Sequence, residues 1–284
     1  MVTMRTVGVL GCGLMGSGIA QVCAQAGYRT LVREVDSTLL GNGLGRIDAF
    51  LAQGVDRGKL DARERDRTLA NLSGVSTLEE LTECDIVIEA ITESLNAKRD
   101  LFSALDLVAG PDTLFASNTS SLCITELAAS TSRPERFLGL HFFSPVPIMK
   151  MVEVVRGLGT SDETYSQGIE LVKAVGKDPV TAPDRPGFIV NRLLIPYLID
   201  AIRSYENGLG TIEDIDKSMV MGCGHPMGPF TLLDFIGLDT VHSIAAIMYN
   251  EFRDPAYAAP PLLKRMVLSG RLGRKTGRGF YKYA

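Results

Sequence analysis

The chain opens with a strand, a glycine turn and a helix in direct succession, an order that restricts the fold more than any other feature. Val7-Gly8-Val9-Leu10 is the kind of apolar run that fills a buried parallel strand. Gly11-Cys12-Gly13-Leu14-Met15-Gly16 follows it, and Ser17 to Ala26 continues as an apolar helix. Glycine triplets arise by chance in a chain with 29 glycines, so the flanking elements carry the weight. In this setting the first glycine permits a tight turn, the second lets backbone approach a phosphate, and the third lets helix and strand pack closely. The helix then points its unpaired N–H groups and the positive end of its dipole at a pyrophosphate. Gly11, Gly13, Leu14, Met15 and Gly16 are therefore expected to cradle a dinucleotide. A second strand, Arg29 to Val32, runs into Arg33-Glu34. A carboxylate there accepts the adenosine ribose hydroxyls and repels a 2′-phosphate, which favours NAD over NADP. Arg33 pulls the other way, because a guanidinium accommodates that phosphate.

At 284 residues the chain is long for one domain and comfortable for two. A net charge of −4 without a basic stripe argues against nucleic acid as a partner. The five cysteines are widely spaced and form no CxxC pair, so they read as small buried apolar residues in a reducing compartment, and no metal site is expected. No apolar run approaches the roughly 18 residues of a membrane span, and Met1 to Arg5 leads almost at once into the first strand. The expectation is a cytoplasmic protein with no membrane partner.

Residues 36–74 replace the usual short crossover with a long excursion. Leu44 to Leu51 and Asp61 to Leu69 both look helical, and their mixed charges predict two partly solvated helices joined at Gly54 to Gly58. Such a pair is either an idle hairpin or an arm over a ligand. Strands resume at Asp85 to Ile91 and continue with Thr113 to Ser117, Arg136 to Leu140, Met151 to Val155 and Pro179 to Thr181. A proline-marked joint at Ala182 to Gly187 ends them. Helices follow over Phe188 to Tyr205, after the N-cap-like Thr211, over Phe230 to Phe252 and over Pro261 to Leu268. The expected fold class is α/β: a doubly wound Rossmann-type sheet with a helical-arm insertion over residues 1–186, then an all-α C-terminal domain over 187–284.

One of the three histidines, His141, falls just past the strand ending at Leu140, at the edge where open parallel sheets bind ligands. Glu153 lies in an otherwise apolar strand, where a carboxylate is costly unless paired. His141 is the obvious partner. A carboxylate that holds one imidazole nitrogen leaves the other to serve as a base near neutral pH. A satisfied core histidine beside a strand-end glutamate has the same sequence signature. Ser120 lies at the same sheet edge, placed either to hydrogen-bond a substrate oxygen or simply to cap a helix. Asn191 lies at the start of the first helix beyond the joint, among apolar neighbours, and a buried amide of that kind needs partners, structural or otherwise.

Together these segments resemble the short-chain L-3-hydroxyacyl-CoA dehydrogenase family, in particular its bacterial 3-hydroxybutyryl-CoA branch. The similarity runs through GCGLMGSGIA from Gly11, SNTSSL from Ser117, GLHFFSPVP from Gly139, KMVEVVR from Lys150, PGFIVNRLL from Pro186, GHPMGPF from Gly224 and GRKTGRGFYKY from Gly273. The resemblance implies NAD as cofactor, with His141 taking the proton of a 3-hydroxyl, Glu153 stabilising the resulting charge, and Ser120 and Asn191 positioning the substrate. It also implies that Glu34 holds the adenosine half, that Glu93, Lys98 and Asn118 lie near the ribose and nicotinamide, and that the C-terminal domain serves substrate binding and a homodimer. The excursion then corresponds to the family's arm over coenzyme A, with Arg57 and Lys59 as its phosphate contacts. Two departures bear on the acyl carrier: Ser144 stands where the family usually has asparagine, and the arm is poor in lysine. An acyl-carrier-protein thioester is the alternative substrate. The β-hydroxyacid dehydrogenases also join a Rossmann domain to helices, but they need a lysine on the first helix after the joint, and Phe188 to Tyr205 has none. A non-catalytic binding or structural protein on this scaffold would have little use for Ser120, His141, Glu153 and Asn191 together.

Overall fold

The computed structural model describes residues 4–283, and the chain divides into two compact units, one ending at Asp184 and the other beginning at Arg185. The first unit alternates strands and helices: β1 (Thr6–Leu10), α1 (Leu14–Gln25), β2 (Arg29–Arg33), α2 (Ser37–Asp56), α3 (Ala62–Ala70), β3 (Leu72–Val75), β4 (Ile86–Glu89), α4 (Leu95–Val108), β5 (Leu114–Ser117), α5 (Ile124–Ala128), β6 (Phe137–Phe142), β7 (Met151–Arg156), α6 (Asp162–Ala174) and β8 (Asp178–Pro183). The strands form one sheet in the order β3-β2-β1-β4-β5-β6-β7-β8. Every residue of β1, β4, β5 and β6 is buried, which is why these strands are near-continuous apolar runs. The order reverses between β1 and β4, and the crevice beyond their carboxyl ends is where such sheets take ligands.

Four features differ from the sequence reading. The arm's first helix is longer than expected and runs from its N-cap Asp36, whose carboxylate accepts the Leu39 N–H, through four internal glycines to Asp56. An extra strand, β3, follows the arm. Its Leu-Ser-Gly-Val sequence is too polar to stand out, because an edge strand need not bury both faces. β7 pairs antiparallel to β6, although all other neighbours are parallel. That pairing extends β6, so His141 lies inside the strand rather than past its end. Finally, Cys12, Cys23 and Cys84 are buried as expected, but Cys123 is half-buried and Cys223 is exposed.

The second unit is helical: α7 (Val190–Glu206), α8 (Ile212–Cys223), α9 (Pro229–Ile236), α10 (Leu238–Phe252) and α11 (Pro261–Leu268). Its core gathers Ile195, Leu198, Phe230, Leu233, Val241 and Met248, among others. The single helix expected over Phe230 to Phe252 breaks at Gly237, whose φ of +101° suits glycine, and α9 and α10 meet at 93°. Among the described residues no single helix is long and apolar enough to cross a membrane. Two buried carboxylates organise the unit. Asp216 accepts the Phe230 and Thr231 N–H groups, and Asp234 accepts those of Phe280 and Tyr281, so the terminal glycine-rich segment is pinned to α9.

Candidate active site

The glycine turn has the shape a pyrophosphate needs. Gly11 has φ +91°, and a Cβ there would come within 2.7 Å of the Ala90 carbonyl. A Cβ on Gly16 would lie 1.8 Å from the Gly11 oxygen, so the helix packs against the turn only because that atom is missing. Gly13, by contrast, has nothing within 4 Å of its Cβ position, which leaves the approach open. Gly13 is also the N-cap of α1, and no side chain caps it, so the first N–H groups of the helix remain available to an anion. Leu14 and Met15 form the first turn of that helix. Glu34 lies just past β2, and its carboxylate accepts N–H bonds from Cys12 (3.2 Å) and Val35 (2.8 Å). It therefore fixes the glycine turn as well as standing where a ribose is expected. Arg33 ends β2 with a buried Nε that has no hydrogen-bond partner among the described residues.

On the carbonyl side of Cys12, the Arg46 guanidinium donates to the Cys12 carbonyl at 2.5 Å. Burial pushes the Cys12 thiol up to about 11 against the pull of Arg46, so it stays a neutral wall atom.

A connected set of charges lies under the ends of β4 and β5. Lys98 is 1% exposed, and its ammonium sits 2.5 Å from Glu89 and 3.3 Å from Glu93. Glu89, fully buried, also accepts the Ser117 hydroxyl (2.6 Å) and the Ile91 N–H (2.7 Å). Glu93 takes the Thr119 hydroxyl (2.6 Å), the Ser120 N–H (2.8 Å) and the Ser121 hydroxyl (3.1 Å) on one oxygen. Burial pushes the Glu93 carboxyl up, but the Lys98 ammonium and these donors outweigh it and hold the group below the ordinary carboxylate range. The network shapes the segment that carries Ser120. Lys98 itself faces these two carboxylates.

His141 and Glu153 are directly opposite in the β6–β7 ladder, and Nδ1 of the imidazole lies 2.7 Å from Glu153 Oε2. Both are buried, with Glu153 at 0% exposure. Asn118 lies one residue beyond β5, and its side-chain oxygen accepts the Phe142 N–H (2.8 Å), which ties the end of β5 to the strand carrying the histidine. Phe143 packs against the imidazole, with ring centroids 4.5 Å apart. Asn191 is in the first turn of α7, in the second unit, following Gly187 (φ +83°) and Phe188 (φ +46°), whose left-handed backbone turns the chain into the helix.

Arg57, the C-cap of α2, and Lys59 line a hollow of about 310 Å³ whose other walls include Phe50, Leu60 and Ile148. It adjoins a second hollow of about 320 Å³ reaching Leu14, Gly18 and Arg46, and the two share Gln21, Phe50, Gln53 and Pro147. The Pro147 side is held by Lys177, which donates to the Val146 (2.6 Å) and Met149 (2.8 Å) carbonyls, and burial lowers the pKa of this ammonium. Sequence reasoning missed Glu89, Arg46 and Lys177. Of these, only Glu89 left a signal, being a carboxylate in an apolar strand just as Glu153 is.

A glycine-turn dinucleotide cradle joined to a buried histidine–carboxylate pair defines a Rossmann-type, dinucleotide-dependent dehydrogenase. The comparisons narrow this. Residues 6–185 match the model of the 3-hydroxyacyl-CoA dehydrogenase NAD-binding domain, and residues 187–283 match that of the 3-hydroxyacyl-CoA dehydrogenase C-terminal domain. A 3-hydroxybutyryl-CoA dehydrogenase of Mycobacterium tuberculosis is 48% identical over 282 residues, covering 99% of each chain. A probable 3-hydroxybutyryl-CoA dehydrogenase of Bacillus subtilis is 45% identical over 280 residues, covering 99% of this chain and 98% of its own. The crystal structure of (S)-3-hydroxybutyryl-CoA dehydrogenase from Ralstonia eutropha superposes with a TM-score of 0.95 at 43% identity, covering 99% of this chain and 100% of that one. The chain belongs to the 3-hydroxyacyl-CoA dehydrogenase family and is an NAD-dependent oxidoreductase acting on a CH–OH group.

Proposed function

We propose that this chain interconverts short (S)-3-hydroxyacyl and 3-oxoacyl thioesters of coenzyme A, 3-hydroxybutyryl-CoA in particular, with His141 as general acid and base. The observation that carries the reading is the 2.7 Å His141–Glu153 pair in a buried strand ladder. Nδ1 faces Glu153, and Nε2 is the atom assigned to take the hydroxyl proton when C3 is oxidised and to return it when C3 is reduced. The buried carboxylate stabilises the imidazolium formed in between. NAD, when bound, would take up the hydride that leaves C3 on oxidation and NADH would return it on reduction. Gly11, Gly13, Leu14, Met15 and Gly16 would hold its pyrophosphate, and Glu34 its ribose. Ser120, on the segment set by Glu93, and Asn191 position the acyl group, while Asn118 and Glu93 serve the nicotinamide side.

Coenzyme A is favoured as carrier because an apolar groove leads to Arg57 and Lys59, the chemistry that a pantetheine chain ending in phosphates requires. The first unit is assigned to the dinucleotide, and the helical unit to substrate and to a homodimer. That unit leaves Leu193 and Met221 exposed at 71% and 74%, large apolar surface for a second copy to cover. A cytoplasmic location completes the reading.

The test is turnover of acetoacetyl-CoA with NADH, read by absorbance, against the same acyl group on an acyl carrier protein. His141→Gln should lose about 10² to 10⁴ in rate and keep its affinity for NADH. Near-normal turnover in that variant would remove His141 from the chemistry, and a strong preference for the carrier protein would replace coenzyme A.

A further inference from the structure

We infer that Arg46 couples the two ligand sites of the first unit, so that filling the arm groove tightens the dinucleotide turn and filling the turn tightens the groove. The inference rests on the proposed assignment of the groove to the coenzyme A thioester, and it concerns a residue to which that assignment gives no role.

Three observations place Arg46 at the junction. Its guanidinium donates to the Cys12 carbonyl, in the middle of the glycine turn, while its side chain lines the groove beside Leu14 and Gly18. The arm helix also touches the turn itself: a Cβ on Gly43 would lie 2.1 Å from the Cys12 sulfur and 2.5 Å from the Cys12 carbonyl oxygen. Finally, the N–H of the same residue, Cys12, is held by Glu34, only two residues before the N-cap that starts the arm.

One residue, Cys12, is thus clamped on both sides, by Glu34 through the N–H of the peptide before it and by Arg46 through the carbonyl of the peptide after it. Gly13, where the turn is open to a pyrophosphate, follows it directly. Any shift of α2 toward or away from a groove ligand is passed to the Cys12–Gly13 peptide by a short charge-assisted hydrogen bond. The two sites also share α1, whose N-terminus faces the dinucleotide and whose flank, at Leu14, Gly18 and Gln21, walls the groove. Two ligands that order the same contact each bind better when the other has already ordered it, and the effect must be reciprocal.

The experiment measures the NADH dissociation constant by fluorescence, with and without butyryl-CoA, which lacks the 3-oxo group and is not reduced. The wild type should bind NADH about 5- to 20-fold more tightly with butyryl-CoA present, at the lower end of usual coupling factors. Arg46→Met should bring that ratio close to one. Gly43→Ala, which keeps Arg46 but forces the arm off the turn, should do the same, and alanine in place of glycine does not weaken a helix. A wild-type ratio near one, or a ratio unchanged in Arg46→Met whatever Gly43→Ala does, would overturn the coupling through Arg46. Failure of the proposed function is a separate result, namely a wild type that does not turn over acetoacetyl-CoA.

Discussion

Replacing Lys98 with methionine keeps the length of the side chain and deletes the one ammonium between Glu89 and Glu93. Removing one partner of a buried ion pair costs about 3–5 kcal/mol, because the remaining charge is left uncompensated. Glu89 is fully buried, but the Glu93 side chain is 35% exposed and water relieves part of its charge, so the lower end, about 3 kcal/mol, is expected at neutral pH. For a unit of this size that corresponds to a fall of about 6–12 °C in melting temperature.

The pH dependence separates this cause from a simple packing defect. In the intact protein Glu93 is held below its ordinary range, so its contribution to stability is present above the titration of the unfolded carboxyl and fades as pH falls through the folded one. Without Lys98 the largest cause that holds the Glu93 carboxyl down is gone while its burial remains, so the stability lost in the variant is greater at pH about 7.5 than at pH about 5. Scanning calorimetry at both pH values reads the melting temperature. The double variant Glu89→Gln with Lys98→Met, which removes the excess charge, should recover much of the loss. A Lys98→Met protein melting within about 2 °C of wild type at both pH values, against the scale above, would refute the argument.

Two further outcomes follow from the dinucleotide turn and the groove. Glu34→Ala should weaken NADH binding, because the turn loses the acceptor for the Cys12 N–H. It should also narrow the preference for NADH over NADPH, because repulsion of the 2′-phosphate is gone; fluorescence titration with both cofactors reads each effect. Replacing Arg57 and Lys59 together with alanine should raise the Michaelis constant for acetoacetyl-CoA several-fold, spare kcat and flatten the salt dependence of kcat/KM, the pattern of lost binding without lost chemistry.

The parts legible in the sequence were those in which one residue type has a single structural use in its context. Gly11 and Gly16 between an apolar strand and an apolar helix specify a turn whose close contacts exclude any side chain. A glutamate at position 153 in an apolar strand demands a partner, and few histidines are available to supply one. What stayed hidden depends on tertiary pairing. Strand direction leaves no mark on residue pattern, so the antiparallel β7 and the extension of β6 over His141 could not be read. β3 is a polar edge strand, and the break at Gly237 is masked by apolar residues on both sides. Lys98 serves Glu89, nine residues away on a different element, and Arg46 reaches a carbonyl 34 residues back along the chain. Neither separation follows a helical or strand period.

The antiparallel pairing of β6 and β7 also separates two things that a lineage can alter. The relative placement of His141 and Glu153 is set by the ladder itself, in which each faces the other across one rung, and not by the connector between the strands. That connector, Phe143 to Lys150, contributes Pro145, Val146, Pro147 and Ile148 to the groove walls. Insertions, deletions and replacements there would reshape the groove proposed to receive the acyl carrier and leave the His141–Glu153 pair in register. On the proposed reading, thioester preference can change through one short segment while the pair assigned to proton transfer is inherited unchanged.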